Sequence, residues 1–413
     1  MSALSTLRTS GQILAGWGFI TYHAWGRRDP VADLFTFRGR RNPYATYEKL
    51  RARGPVSRTT LGGLVTVEHD LCGQVLRERR FGVGEEPGLD GIVDLSLLEL
   101  DPPDHTRLRR LVAPAFSPRR MKTQEERIQR VVDRLIDDLA VRLKDGPVDL
   151  MSTYAKPLPI AMIASLMGIP DEELPALGRH GDAIGGVLDG VQSFGHFRRV
   201  RRARADLDTL FLQLAERRRQ EPAEDIVGDL VVALDAGELS EAEFRALCSL
   251  VLVAGFETTV NLIGNAMDAL MNRPEVWRRL TEDPALVDAL AEETLRWDSP
   301  VQATSRTARA DLEVNGHVVP KGTLMLVLIG GANRDPKVFE RPDEFDIDRP
   351  NAHEHLAFGQ GIHHCVGRPL AMLEGRIALR TLAERLPELR SAAPSELGTG
   401  MILRGRSRLP VRI

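Results

Sequence analysis

The sequence predicts a mainly α-helical protein with a minor, peripheral β region, and three observations carry that reading. From Glu125 to Leu143 and from Val200 to Arg218, apolar residues recur at helical intervals among charges, the pattern of amphipathic helices laid on a core. Ala242 to Met271 is long and largely apolar, suited to a helix buried on most of its sides. Runs of β-branched residues are few and short: Val56 to Val67, broken by Gly62-Gly63 as in a hairpin, then Glu313 to Val319 and Leu324 to Ile329.

Taken in order, residues 1–30 read as an N-terminal arm. Its apolar stretch, Gly11 to Trp25, is interrupted by Gln12, Thr21 and His23 and falls short of the ~20 apolar residues a membrane span needs. No membrane anchor is expected, and the arm reads as a loose segment or an amphipathic cover over an entrance. Pro43 to Arg53 is a short helix. Between Gly82 and Asp101 lies a glycine-dotted loop carrying Leu89, Ile92, Val93, Leu95, Leu97 and Leu98. Paired prolines then open a helix in which His105 and Arg109, four residues apart, share a face and suit a carboxylate. Leu177 to Phe197 is rich in glycine and poor in strong helix formers, as expected of a mobile lid.

Inside the long apolar helix stands Ala254-Gly-Phe-Glu-Thr-Thr259. Thr258 can bond back to the Ala254 carbonyl while Gly255 weakens the helix, so a bend or groove is expected there. Glu293 and Arg296, three apart, can form an ion pair on one helix face. Near the end, Phe358-Gly-Gln-Gly-Ile-His-His-Cys-Val-Gly367 presents one cysteine in a glycine-loosened loop just before a helix start, where amide N–H groups and the helix dipole favour a thiolate.

The totals exclude other classes. Fifty-five basic against 58 acidic residues give a formal charge of -3, which demands no nucleic-acid partner. Cys72, Cys248 and Cys365 are an odd number at unrelated spacings, so a reducing, cytoplasmic setting fits better than a disulfide framework. His353, His355, His363 and His364 crowd Cys365, but without the spacing of a closed zinc site.

The loop F-G-x-G-x-H-x-C-x-G resembles the haem-binding loop of the cytochrome P450 family, the haem-thiolate monooxygenases, in their soluble bacterial form. At 413 residues, length alone would allow two or three domains, whereas the resemblance implies one compact haem-binding unit over residues 31–413. It implies haem b with Cys365 as the iron ligand, contacts from Phe358, Gly359, Gly367, Ala254 and Gly255, and propionates held by His105, Arg109, Arg306 and His363. By resemblance Glu257 and Thr258 relay protons, and Glu293, Arg296 and Arg349 form a structural network beneath the haem loop. The pocket would draw on Leu89, Ile92, Val93, Leu250, Val253, Val301, Gln302, Thr304, Met401 and Ile402.

The implied reaction is hydroxylation or epoxidation of an apolar steroid, terpenoid, fatty acid or polyketide with O2. Two electrons would come from ferredoxin and ferredoxin reductase docking near Arg107, Arg110, Arg119, Arg120 and Arg368. The alternatives are a peroxygenase or rearrangement enzyme on the same fold, and a non-catalytic haem sensor.

Overall fold

The structure, a computed structural model, describes residues 16, 18–83, 96–185 and 193–413. Leu89, Ile92 and Val93, expected in the pocket, fall outside the described residues, as does the middle of the expected lid.

One helix, Glu241–Met271, runs through the core. It starts on a reciprocal cap, in which the Ser240 hydroxyl accepts from the Glu243 amide while the Glu243 carboxylate accepts from the Ser240 amide. Long and apolar enough to cross a bilayer, it is nonetheless mostly enclosed by protein. Pro157–Leu166, Leu174–Gly185, Phe194–Gln220, Val287–Trp297 and Arg368–Arg385 pack around it. Burying such a helix on nearly every side removes several hundred Å² of apolar surface from water, at about 25 cal/mol per Å².

The amphipathic stretches form longer helices than their periodicity suggests. The first spans Pro118–Leu143, because Pro118, preset in φ and lacking an N–H, is well suited to a first turn; Met121, Ile128, Val132, Ile136, Leu139 and Leu143 are its buried side. The second spans Phe194–Gln220.

Sheet is minor, as the sequence predicts. Five short strands lie in the order Ser57–Arg58, Leu64–Thr66, Leu324–Val327, Thr304–Ala308, Phe81–Gly82. The central pair is parallel, with Val65 opposite Leu326, while Arg306 lies opposite Met325 in the antiparallel pair beside it. The expected strand Glu313–Val319 is instead a hairpin, Leu312–Val314 with His317–Val319, because Asn315 and Gly316 both take positive φ and turn the chain.

The described end of the N-terminal arm is pinned. His23 is buried with Nδ1 2.7 Å from the Thr60 hydroxyl, and the Asp29 carboxylate accepts from the Val31 and Thr60 amides and from the Thr59 and Thr60 hydroxyls.

Candidate active site

The cysteine loop is fixed by its own backbone. The Cys365 amide donates to the Phe358 carbonyl at 2.9 Å, and the His364 amide to the Gly361 carbonyl at 3.1 Å. Gly361 has φ +71°, and a Cβ there would lie 2.3 Å from the Leu76 carbonyl oxygen, so only glycine lets the loop approach the His69–Arg77 helix. Phe358 packs on Leu262, Ala291, Leu295 and Met372, tying the loop to three helices.

Cys365 keeps accessible surface although protein atoms enclose it, as a side chain does on the wall of an internal groove. Burial raises its thiol pKa, and the N–H groups of Gly367 and Arg368, donated to the sulfur, pull the other way. Those two amides open the Arg368–Arg385 helix, with Pro369 in its first turn. Cys72 and Cys248 are fully buried, and enclosure pushes the Cys72 thiol up to about 12.

Beside the loop two imidazoles and two guanidinium groups converge from distant parts of the chain. The His105 and His363 rings lie 4.3 Å apart. Arg109 donates to the His364 carbonyl at 2.6 Å, and Arg306 is 6% exposed with, among the described residues, only Thr304 and Ser305 oxygens as acceptors. Among the described residues, both ring nitrogens of His105 and Nε2 of His363 are buried without a hydrogen-bond partner. Burial, then Arg306, pulls the His363 imidazole down to about 4; burial, then Arg109, lowers His105. Unsatisfied buried donors around a guanidinium that forms no ion pair among the described residues are what an anion-holding cradle requires. The carboxylates of a haem fit that donor set.

Beneath the loop, Glu293 holds Arg296 bidentately at 2.7 Å for both bonds, and Arg349 joins at 3.3 Å. Glu293 and Arg296 are fully buried. Remaining donors are absorbed by the carbonyls of Asn333, Pro342 and Glu344, and the Asp346 amide caps Glu293 at 2.8 Å.

Facing this side, the Thr258 hydroxyl donates to the Ala254 carbonyl at 3.1 Å. The helix runs on through this point, and Gly255 serves packing: a Cβ would sit 2.7 Å from Ile163 Cδ1. Ala254 is exposed in the middle of this core helix, as a groove there requires. Glu257 points elsewhere. Its carboxylate lies where a Cβ on Gly185 would be, at 1.5 Å, while the Phe256 ring occupies the same kind of space at Gly181. Glycines in the expected lid therefore admit side chains of the core helix.

The pocket expectations fare unevenly. Leu250 shares the face of Ala254 and Thr258 by its four-residue spacing, and Val253 is 3% exposed. Gln302 is no pocket group: it is 1% exposed, its Oε1 accepts from the Tyr47 hydroxyl at 3.0 Å and its Nε2 donates to the Ser299 carbonyl at 2.8 Å. Thr304 accepts from Arg306. Val301 bridges to Leu403, the Ile402 carbonyl accepts from the Gln302 amide, and Met401 packs on the cluster holding Val31, Leu34 and Tyr47. The expected basic docking set is largely engaged: Arg107 pairs with Glu243, Arg110 with Glu238, Arg120 with Asp229 and Arg368 with Glu292, leaving Arg119 exposed.

One buried group escaped the sequence reading. Glu374, in the helix after Cys365, is fully buried with neither carboxyl oxygen partnered among the described residues, and burial raises its pKa well above the usual carboxylate range. Its signal was a charge within an apolar run, Leu370-Ala-Met-Leu-Glu374.

Comparison with known proteins agrees with this arrangement. A family model described as cytochrome P450 matches residues 192–386. The putative cytochrome P450 140 of Mycobacterium tuberculosis is 35% identical over 393 residues, spanning 90% of this chain and 89% of that protein. The cytochrome P450 monooxygenase PikC of Streptomyces venezuelae is 38% identical over 387 residues, spanning 90% and 91%. Among solved structures, ligand-free CYP164A2 of Mycobacterium smegmatis gives a TM-score of 0.84 at 37% identity, covering 93% of this chain and 99% of that one. P450BioI, solved in complex with hexadec-9Z-enoic acid ligated acyl carrier protein, gives 0.84 at 32%, covering 91% and 99%. Similarity of this order over nearly the whole length leaves one assignment: the chain belongs to the cytochrome P450 family of haem-thiolate monooxygenases, whose cofactor is haem b.

Proposed function

We propose that this enzyme hydroxylates or epoxidises an apolar small molecule, with Cys365 as the iron ligand. The observation that carries it is the cysteine itself, alone among three in having accessible surface and in receiving two amide N–H groups from the start of a helix. When bound, haem b supplies an iron that activates molecular oxygen with electrons from a separate donor. The chain's own residues do the rest. Gly367 and Arg368 amides hold charge on the sulfur. His105, Arg109, Arg306 and His363 would hold the propionates, the neutral imidazoles donating N–H and the guanidinia offsetting charge.

On the other side Thr258 holds a proton at Oγ1 beside the exposed Ala254, and Glu257, whose carboxylate lies against Gly185, resupplies it through water once its side chain swings toward Thr258. Leu250, Ala254 and Val253 give the groove an apolar wall. Two relatives support the substrate class: P450BioI was solved in complex with an acyl carrier protein ligated to hexadec-9Z-enoic acid, and CYP109E1 of Bacillus megaterium was solved with testosterone. A ferredoxin with its reductase is the proposed electron source, approaching the basic side at Arg107, Arg110, Arg119, Arg120 and Arg368. Since four of these already face carboxylates, its steering depends less on salt than five free arginines would require. Three free cysteines are consistent with a cytoplasmic location.

Cys365→Ser tests the ligand. The reduced carbon monoxide complex of the variant should lose the red-shifted absorption of thiolate ligation; its persistence would assign the iron to another residue. A screen of steroids and fatty acids for the haem spin-state change then reads the substrate class.

A further inference from the structure

Among the described residues, the exposed large aromatic side chains are Phe19, Tyr22, Trp25 and Phe37, at 51, 58, 71 and 74% exposure, while the other exposed large apolar residues are scattered aliphatics. Three of the four are spaced three apart on the helical segment 18–26, whose opposite side buries His23 and Ala24. A surface helix that turns aromatic rings outward inverts the usual arrangement. The surrounding charge is of one sign. Arg27 and Arg28 follow directly and are exposed, as are Arg38 and Arg41 on the helix Phe37–Arg41. The carboxylates nearby are used inside: Asp29 on Thr59 and Thr60, Asp33 on the Thr36 hydroxyl. No Asp or Glu occurs in the first 28 residues.

We propose that residues 18–41 are a reversible docking surface for an anionic lipid bilayer, lying in its interfacial layer without spanning it. Rings with an apolar body and, in Tyr22 and Trp25, a polar tip suit the headgroup boundary, and arginines with apolar stems reach past them to lipid phosphates. Each arginine near an anionic leaflet strengthens binding about fivefold, so four of them complement three or four shallowly inserted rings. The bilayer is favoured over a protein partner because Phe19, Tyr22 and Trp25 project from a surface helix and line none of the described cavities; Phe37, Arg38 and Arg41 border the rim of one beside Tyr44 and Arg404. This docking is independent of the substrate reading.

The test is cosedimentation of the 413-residue, haem-loaded protein with vesicles of phosphatidylglycerol and of phosphatidylcholine, with Trp25 fluorescence, taken as the difference from Trp25→Phe because the sequence holds four tryptophans, as a second readout. Binding is expected to phosphatidylglycerol at low salt, to fall steeply as salt is raised, and to shift Trp25 emission to the blue. The double change Phe19→Ser, Trp25→Ser should lower the partition coefficient at least tenfold, and Arg27→Glu with Arg28→Glu similarly, with the haem spectrum and thermal unfolding unchanged. Absence of binding to phosphatidylglycerol, equal binding to phosphatidylcholine, or indifference to both variants would overturn the proposal. So would a concentration-dependent dimer abolished by Trp25→Ser, which would make a second copy the occupant. Poor quenching of Trp25 by acrylamide in the free protein would mean that another part of the chain covers the face, and would equally overturn it.

Discussion

The two sides of the candidate site are built by opposite means. Below the Cys365 loop, Glu293, Arg296 and Arg349 form a dry ionic knot whose spare donors end on backbone carbonyls. Above it, the Glu241–Met271 helix carries back-bonded hydroxyls at Thr258 and Thr259 and is positioned through absent side chains, Gly181, Gly185 and Gly255, each occupied by a neighbour's atoms. The lower side is held by directional bonds that resist change, whereas the upper side is shaped by space and tolerates rearrangement. A thiolate position must not drift. A groove must admit oxygen and substrate.

Glu293→Gln should break the contrast most severely, because it leaves two buried guanidinium groups without their carboxylate. A loss of about 3 to 5 kcal/mol is expected, read as a lower urea midpoint and as failure to retain haem on dilution. A loss below about 1 kcal/mol would mean that the carbonyl acceptors alone hold the knot.

Glu374 offers an intermediate and pH-dependent effect on the same lower side. Its folded-state pKa is raised, so the stabilisation is complete below the unfolded value of about 4.3 and is lost as pH climbs toward the folded value. Glu374→Gln should therefore be close to neutral at pH 4.5 and increasingly stabilising above it, by at most about 1.4 kcal/mol per pH unit until the folded pKa is reached. Equal stability differences at pH 5 and pH 8 would show that the carboxyl has a partner that keeps its charge.

Thr258→Ala should have the smallest effect on stability, well under 1 kcal/mol, since it removes one hydroxyl facing a groove. Its signature is functional. Oxygen uptake should persist while product per oxygen falls and hydrogen peroxide rises, whereas Glu257→Ala should slow the whole cycle. Undiminished coupling in Thr258→Ala would place proton delivery elsewhere, for example on a substrate hydroxyl.

What could be read from sequence follows the same divide. The Cys365 loop was legible because its residues are contiguous, and the Glu293–Arg296 pair because helix geometry fixes the contact of residues three apart. Gln302 misled because a polar side chain between apolar ones looks like a pocket handle; Gly330 leaves room for it, and Tyr47, 255 positions away, bonds it. The Tyr44–Asp298–Arg404–Arg406 network went unread for the same reason, its bonds joining residues 254, 106 and 108 apart. Periodicity found the helices but not which short strands pair, since three- and four-residue strands carry too few alternations.

The contact of Glu257 with Gly185 has a consequence for how this protein can change over generations. An alanine at 185 would place its methyl on the Glu257 carboxylate, at 1.5 Å, so the two positions are not free to vary independently. Because the atom met is the tip of a flexible side chain, a larger residue at 185 would be accommodated by swinging that carboxylate aside. Residue 185, on the neighbouring helix Leu174–Gly185, therefore tunes where the Glu257 carboxylate lies.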